Sequence, residues 1–179
     1  MSRKTAYHEV GHAVAAMELG VWYDGLSIIP RADGTVGHVH VEGDDGFFFP
    51  HGSDPDSPEN MAKYWAWAEQ QAVIDYAGHA ALVVLLGIGD MSEKSAKANG
   101  ALEDFDKARE RLGDDSQRIK QAKARARKIV SDRRREVRKL ALAALKYGYL
   151  DGQQVDFVLL DSPFFLGSLS AEQRRRGKA

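Results

Sequence analysis

The chain has 179 residues, 44% of them apolar and 28% charged, enough for one globular domain with its own core. It contains no cysteine, which excludes disulfides, thiolate-ligated zinc, iron–sulfur clusters and thiol nucleophiles and fits a reducing, cytoplasmic setting. The net charge of −1 conceals an asymmetry: residues 1–100 carry 14 acidic and 6 basic side chains, residues 101–179 carry 12 and 19.

Met1 to Lys4 is followed by no apolar run before His8, so the start does not read as a signal peptide. Arg3 to Leu19 has Ala6, Val10, Ala13, Val14 and Met17 at helical spacing, and Gly20 is a natural stop. Gly25 to Pro30 and Thr35 to Val41 read as two strands joined by a turn around Ala32-Asp33-Gly34. Glu42 to Ser57, rich in Gly, Asp and Pro and containing Phe47-Phe48-Phe49, reads as a loop.

Glu59 to Leu86 predicts a long helix, with Pro58 suited to its first turn and Gly78 a candidate break. Ile88 to Gly100 reads as a loop and Leu102 to Leu112 as a shorter helix. Asp114 to Leu145 reads as one long charged helix with a seam running from Ile119 through Val130 to Ala144. Asp151 begins a last short helix through Leu160. The longest apolar stretch, Ala80 to Ile88, falls well short of the ~20 residues that cross a bilayer. The expected class is mainly α with a small β-sheet (α+β), one domain over residues 3–160 and a flexible basic tail over 161–179.

His8-Glu9-Val10-Gly11-His12 is the pattern H-E-x-x-H on a predicted helix. Residues four apart differ by about 40° around an α-helix and one turn along it. Both imidazoles can then reach one ion, leaving room for a third ligand and a water. Glu9, beside the first ligand, is placed to take the proton of a water that the metal acidifies. The bland alternative is a pair of ordinary helix histidines. No further histidine has the spacing of the extended H-E-x-x-H-x-x-G-x-x-H pattern, which leaves carboxylates for the third ligand.

Other residues invite weaker readings. His38 and His40 alternate on the second strand and can be a site wall or a polar pair. His51 reads as solvated, and His79 as a buried, hydrogen-bonded histidine. Trp65 and Trp67 cannot share one helix face, so one is expected in the core and the other at the surface. Arg118 to Lys139 holds eleven basic residues and two acidic ones, but no interleaved aromatics that would point to nucleic acid. Thr35 to Val41, close in sequence to the motif helix, is the natural edge for holding a peptide as an added strand.

Thr5-Ala-Tyr-His-Glu-Val-Gly-His-Ala-Val-Ala resembles the active-site helix of the FtsH-type zinc metalloproteases. Weaker blocks follow in that family's order: Leu26 to Arg31 with Gly37, Ala77-Gly78-His79-Ala80, Gly100 to Ala108, Ala141 to Leu145, and Leu150 to Val155. The resemblance runs from about Arg3 to Leu160 and implies a helical metallopeptidase domain of FtsH type. It places one zinc ion on His8, His12 and Asp104, with Glu9 as catalytic base. Glu103 and Asp106 are the carboxylates that a one-residue slip would promote instead.

Three departures qualify it, one being that the Asp44–Ser57 loop with its Phe run has no counterpart in the family. No G-x-x-x-x-G-K-[S/T] pattern appears, so the expectation is a protease domain standing without the family's ATPase module. Leu82 and Val83 stand where the family has acidic residues. The implied function is a zinc endopeptidase acting on flexible or unfolded polypeptides. The alternative is a catalytically silent module that binds metal or peptide. Related domains assemble as rings, so the resemblance leaves both a homo-oligomer and a monomer open.

Overall fold

The computed structural model describes residues 2–30, 36–41, 46–49 and 51–177, the side chains of Val36, His40 and Val41 excepted. In chain order the elements are α1 (Arg3–Leu19), β1 (Tyr23–Pro30), β2 (Val36–Val41), α2 (Pro58–Leu86), α3 (Glu93–Ala98) and α4 (Leu102–Leu112). There follow α5 (Ser116–Asp132), α6 (Arg134–Tyr147), β3 (Tyr149–Asp151), α7 (Gly152–Leu159), α8 (Phe165–Ser168) and α9 (Ala171–Arg176). The class is α+β: mainly helical, with one small antiparallel sheet in the order β2-β1-β3. The turn around Ala32-Asp33-Gly34, Thr35 and the side chain of His40 lie outside the described residues.

α1 is the centre of the molecule. It packs against α2, α6 and the sheet, and Glu9 to Ala16 are buried without interruption. A one-faced apolar stripe understates this helix, because Gly11, Ala13, Ala15 and Ala16 are small enough to admit neighbours on every side. Gly20 ends it in the left-handed conformation (φ 69°), which glycine adopts without a Cβ penalty.

α2 begins at Pro58 with the Ser57 hydroxyl accepting from the Asn60 N–H, and runs unbroken through Gly78 to Leu86. Gln71 to Leu82 are all buried, so packing on both sides outweighs the weak helix propensity of one glycine. Asp75 of α2 pairs with Arg111 of α4, tying those helices together near their crossing.

Three expectations are corrected. The stretch Asp114 to Leu145 is two helices, α5 and α6, meeting at Arg133. The buried residues of α5 face α2 and those of α6 face α1, so the chain must change direction. Arg133 marks the corner and pairs with Glu18 of α1 at 2.7 Å. The loop between Ile88 and Gly100 contains α3, whose Ser92 cap accepts from the Ser95 N–H. Trp65 and Trp67 are both half-buried, Trp65 beneath the Arg118 guanidinium (4.2 Å) and Trp67 against Phe47 (5.6 Å).

β3 pairs with β1 through Leu150 opposite Leu26. Beyond α7, Gln173 of α9 is buried, donates to the Tyr149 carbonyl at 2.6 Å and bonds Gln154 of α7. No helix among the described residues is long and apolar enough to cross a membrane.

Candidate metal centre

α1 presents His8 and His12 from successive turns on the side facing α2. That approach depends on glycine twice. A methyl group at Gly11 would lie 2.4 Å from the Ala77 carbonyl oxygen, and one at Gly78 would lie 2.3 Å from His12 Nε2. Both are far inside contact distance, so the two helices cross where neither carries a side chain.

The His12 Nδ1–H donates to the Ile74 carbonyl at 2.8 Å. This bond fixes the tautomer and leaves Nε2 with its lone pair free to bind a cation. His12 Nε2 lies 3.1 Å from His8 Nε2, and the rings stand edge to face at 81°. Asp104, in the first turn of α4, completes the group. Its Oδ2 is 3.0 Å from His8 Nε2 and 3.7 Å from His12 Nε2.

Among the described residues, His8, His12 and Asp104 form the group of metal-ligating side chains, their donor atoms all within 4.8 Å of one another. Zinc bonds of 2.0–2.1 Å at tetrahedral angles set donors about 3.3 Å apart. The observed separations of 3.0, 3.1 and 3.7 Å bracket that value. Two imidazole nitrogens and a carboxylate oxygen are donors suited to zinc. Three such atoms converge favourably only around a cation or a shared proton, and the residues present fit a zinc ion.

Glu103 and Asp106, the neighbouring carboxylates, are exposed, and Glu103 faces Lys107 at 3.7 Å. The α-helical spacing that turns Asp104 toward α1 turns these two toward solvent.

Glu9 is 7% exposed and lies under β2. A methyl group at Gly37 would fall 2.7 Å from Glu9 Cγ and Oε1, and Gly37 has a φ of 89° that favours glycine. The edge strand therefore backs directly onto the carboxylate. His38, the next residue, sits opposite Ser27 in the β1–β2 pair.

The electrostatics follow from burial and from the Asp104 charge. Burial pushes the Glu9 carboxyl up to about 7, against the pull of His8 and with the help of Asp104. Burial holds the His12 imidazole below its ordinary value, Asp104 only partly compensating. Burial alone would also lower His8, but its hydrogen bond and charge interaction with Asp104 outweigh this and raise it. Burial resists ionisation of Asp104, yet the two histidines keep its carboxyl below the usual carboxylate range.

The side chains of His8 and Asp104 remain 15% and 20% exposed. The group is therefore reachable from solvent on one side and closed by α2 on the other, which suits an ion with an open coordination position.

Of the residues expected from the sequence, His8, His12 and Asp104 come together, and Glu9 lies buried under Gly37 of β2. The sequence allows a close helix approach at Ala77-Gly78 with Ala80 and Ala81 as plain packing, but shows neither its place behind His12 nor the backing roles of Gly11 and the Ile74 carbonyl. The signal for the glycines was present: glycine in a helix interior costs about 1 kcal/mol relative to alanine, so two in buried helices imply close contacts. The chain matches no protein-family model and no curated protein sequence.

Proposed function

We propose that the chain is a zinc-dependent endopeptidase of FtsH type, with His8, His12 and Asp104 holding the ion and Glu9 serving as general base. The observation that carries this reading is the convergence of His8, His12 and Asp104, within 4.8 Å, beside a buried carboxylate whose pKa is raised to about 7. The H-E-x-x-H helix and the ordered blocks that resemble that family add to it.

When bound, zinc would supply a Lewis acid that polarises a peptide carbonyl and acidifies a water. The chain's own residues do the rest. His12, its Nδ1 held by the Ile74 carbonyl, offers its Nε2 in a fixed direction, and His8 Nε2 lies 3.0 Å from Asp104 Oδ2, the two converging as co-ligands. Glu9, buried beside the first ligand, accepts the proton of the attacking water and returns it to the leaving amine. β2 lies at the sheet edge over Glu9, so a peptide added alongside it passes close to the carboxylate. Such addition needs an extended segment, which favours flexible loops and unfolded chains as substrates.

Hydrolysis of a quenched fluorogenic peptide tests the activity. It is expected to stop with a chelator and return when zinc is restored. Cleavage that survives complete metal removal rules the reading out.

A second reading is a metal- or peptide-binding module without turnover. It draws on Leu82, fully buried at a position where the resembled family has an acidic residue. That reading predicts stoichiometric zinc with no cleavage of any unfolded substrate.

A further inference from the structure

His79 follows Gly78 on α2 and is fully buried. Its Nε2–H donates to the Asp90 carbonyl at 2.7 Å, which leaves Nδ1 as the ring's acceptor. Nδ1 is buried and meets no donor among the described residues. As packing alone this is a poor choice, because an aliphatic or phenyl side chain fills similar space without stranding a lone pair. What the rest of the ring holds explains the imidazole.

Nε2 holds the loop that leaves α2. Asp90 is bound into the start of α3, its N–H donating to Ser95 Oγ at 3.1 Å and its carboxylate accepting from the Ser92 N–H at 2.9 Å. The ring itself stands edge to face with Phe105, centroids 5.4 Å apart. Phe105 is 2% exposed and also meets Tyr76, one turn earlier on α2, at 4.8 Å. Lys123 of α5 covers the same ring, its Nζ 4.6 Å from the centroid. Phe105 directly follows Asp104.

One side chain of α2 thus touches both ends of the connection from Asp90 to Phe105. Within that connection Ala96 and Ala101 are buried and Glu93 pairs with Arg109 of α4, but α3 is only six residues long and Ala101 gives α4 no side-chain cap. Asp104 sits in the first turn of α4, where an uncapped helix loosens first.

We propose that His79 is a positioning residue for the third metal ligand. By gripping the Asp90 carbonyl and the Phe105 ring together, it fixes the segment that delivers Asp104 to His8 and His12. This rests on the zinc reading of the site given above, and it predicts that zinc affinity depends on a residue that is not itself a ligand.

The test is zinc affinity, measured by competition with a chromophoric chelator, for the parent chain, His79→Leu and His79→Gln. Leucine fills the space and loses the bond to Asp90, and should weaken zinc binding about 10–100-fold, the usual cost of a supporting contact. Glutamine carries an N–H donor at nearly the reach of Nε2 but no ring edge for Phe105, and should recover part of the affinity that leucine loses. Leucine binding zinc as tightly as the parent, or glutamine as weak as leucine, overturns the proposal. A parent chain that takes up no zinc removes the zinc reading itself, and is recognised because it needs no variant.

Should His79→Leu not fold, hydrogen exchange on the parent decides. Zinc is expected to slow exchange at 88–92 and 102–105 together, and protection confined to the second stretch overturns the proposal.

Discussion

Gly78 stands directly behind His12, so close that a methyl group on its Cα would lie 2.3 Å from the ring nitrogen that faces Asp104. A residue that reads as a helix breaker is instead the floor of the candidate metal centre, inside a helix that never breaks. Gly78→Ala should therefore separate metal binding from stability. Alanine favours the helix by about 1 kcal/mol over glycine, while its methyl group drives both imidazoles off their positions. Zinc affinity is expected to fall by at least the ~10–100-fold of a lost supporting contact, with helical content by circular dichroism retained. Unchanged zinc affinity contradicts the close approach.

Glu9→Gln keeps the side chain's shape under Gly37 while removing its capacity to accept a proton. Turnover of a fluorogenic peptide should drop about 10²–10⁴-fold. Zinc content, measured on the same preparation, should stay at one per chain. A variant that retains the parent rate removes Glu9 from the role of base.

The three neighbouring carboxylates on α4 give an internal comparison. Asp104→Asn should weaken zinc binding by more than a supporting contact does, beyond about 100-fold. Glu103→Gln and Asp106→Asn alter exposed side chains and should leave affinity within about threefold of the parent. Equal losses at all three would mean that net charge, rather than one oxygen, sets the affinity.

Val39, paired with Leu26 in the β1–β2 ladder, tests the edge-strand part of the account. Proline is tolerated on edge strands but cannot donate a main-chain hydrogen bond. Val39→Pro is expected to raise KM about 2–10-fold, the worth of one such bond, with zinc content unchanged. A KM equal to that of the parent places the peptide elsewhere.

The elements most legible in the sequence are those with their own local signals. α1 ends at Gly20 and α4 spans Leu102 to Leu112, because a glycine stop and a short amphipathic pattern each mark their own boundaries. The corner at Arg133 was not legible. Val130 and Val137 lie seven residues apart, so the buried seam keeps helical phase straight through the change of direction. β3 is three residues long and becomes a strand only by pairing with β1, as no pattern can develop over that length. At the candidate site, the ligand types announce themselves by spacing on one helix. The Ile74 carbonyl that orients His12 is 62 residues away and is a backbone atom, which no side-chain pattern encodes.

The most direct measurement is anomalous diffraction at the zinc edge from crystals of the purified chain. The account predicts one peak per chain, about 2.0–2.2 Å from His8 Nε2, His12 Nε2 and an Asp104 carboxylate oxygen together. Protein that takes up no stoichiometric metal, or a peak that leaves Asp104 out of coordination, would contradict it.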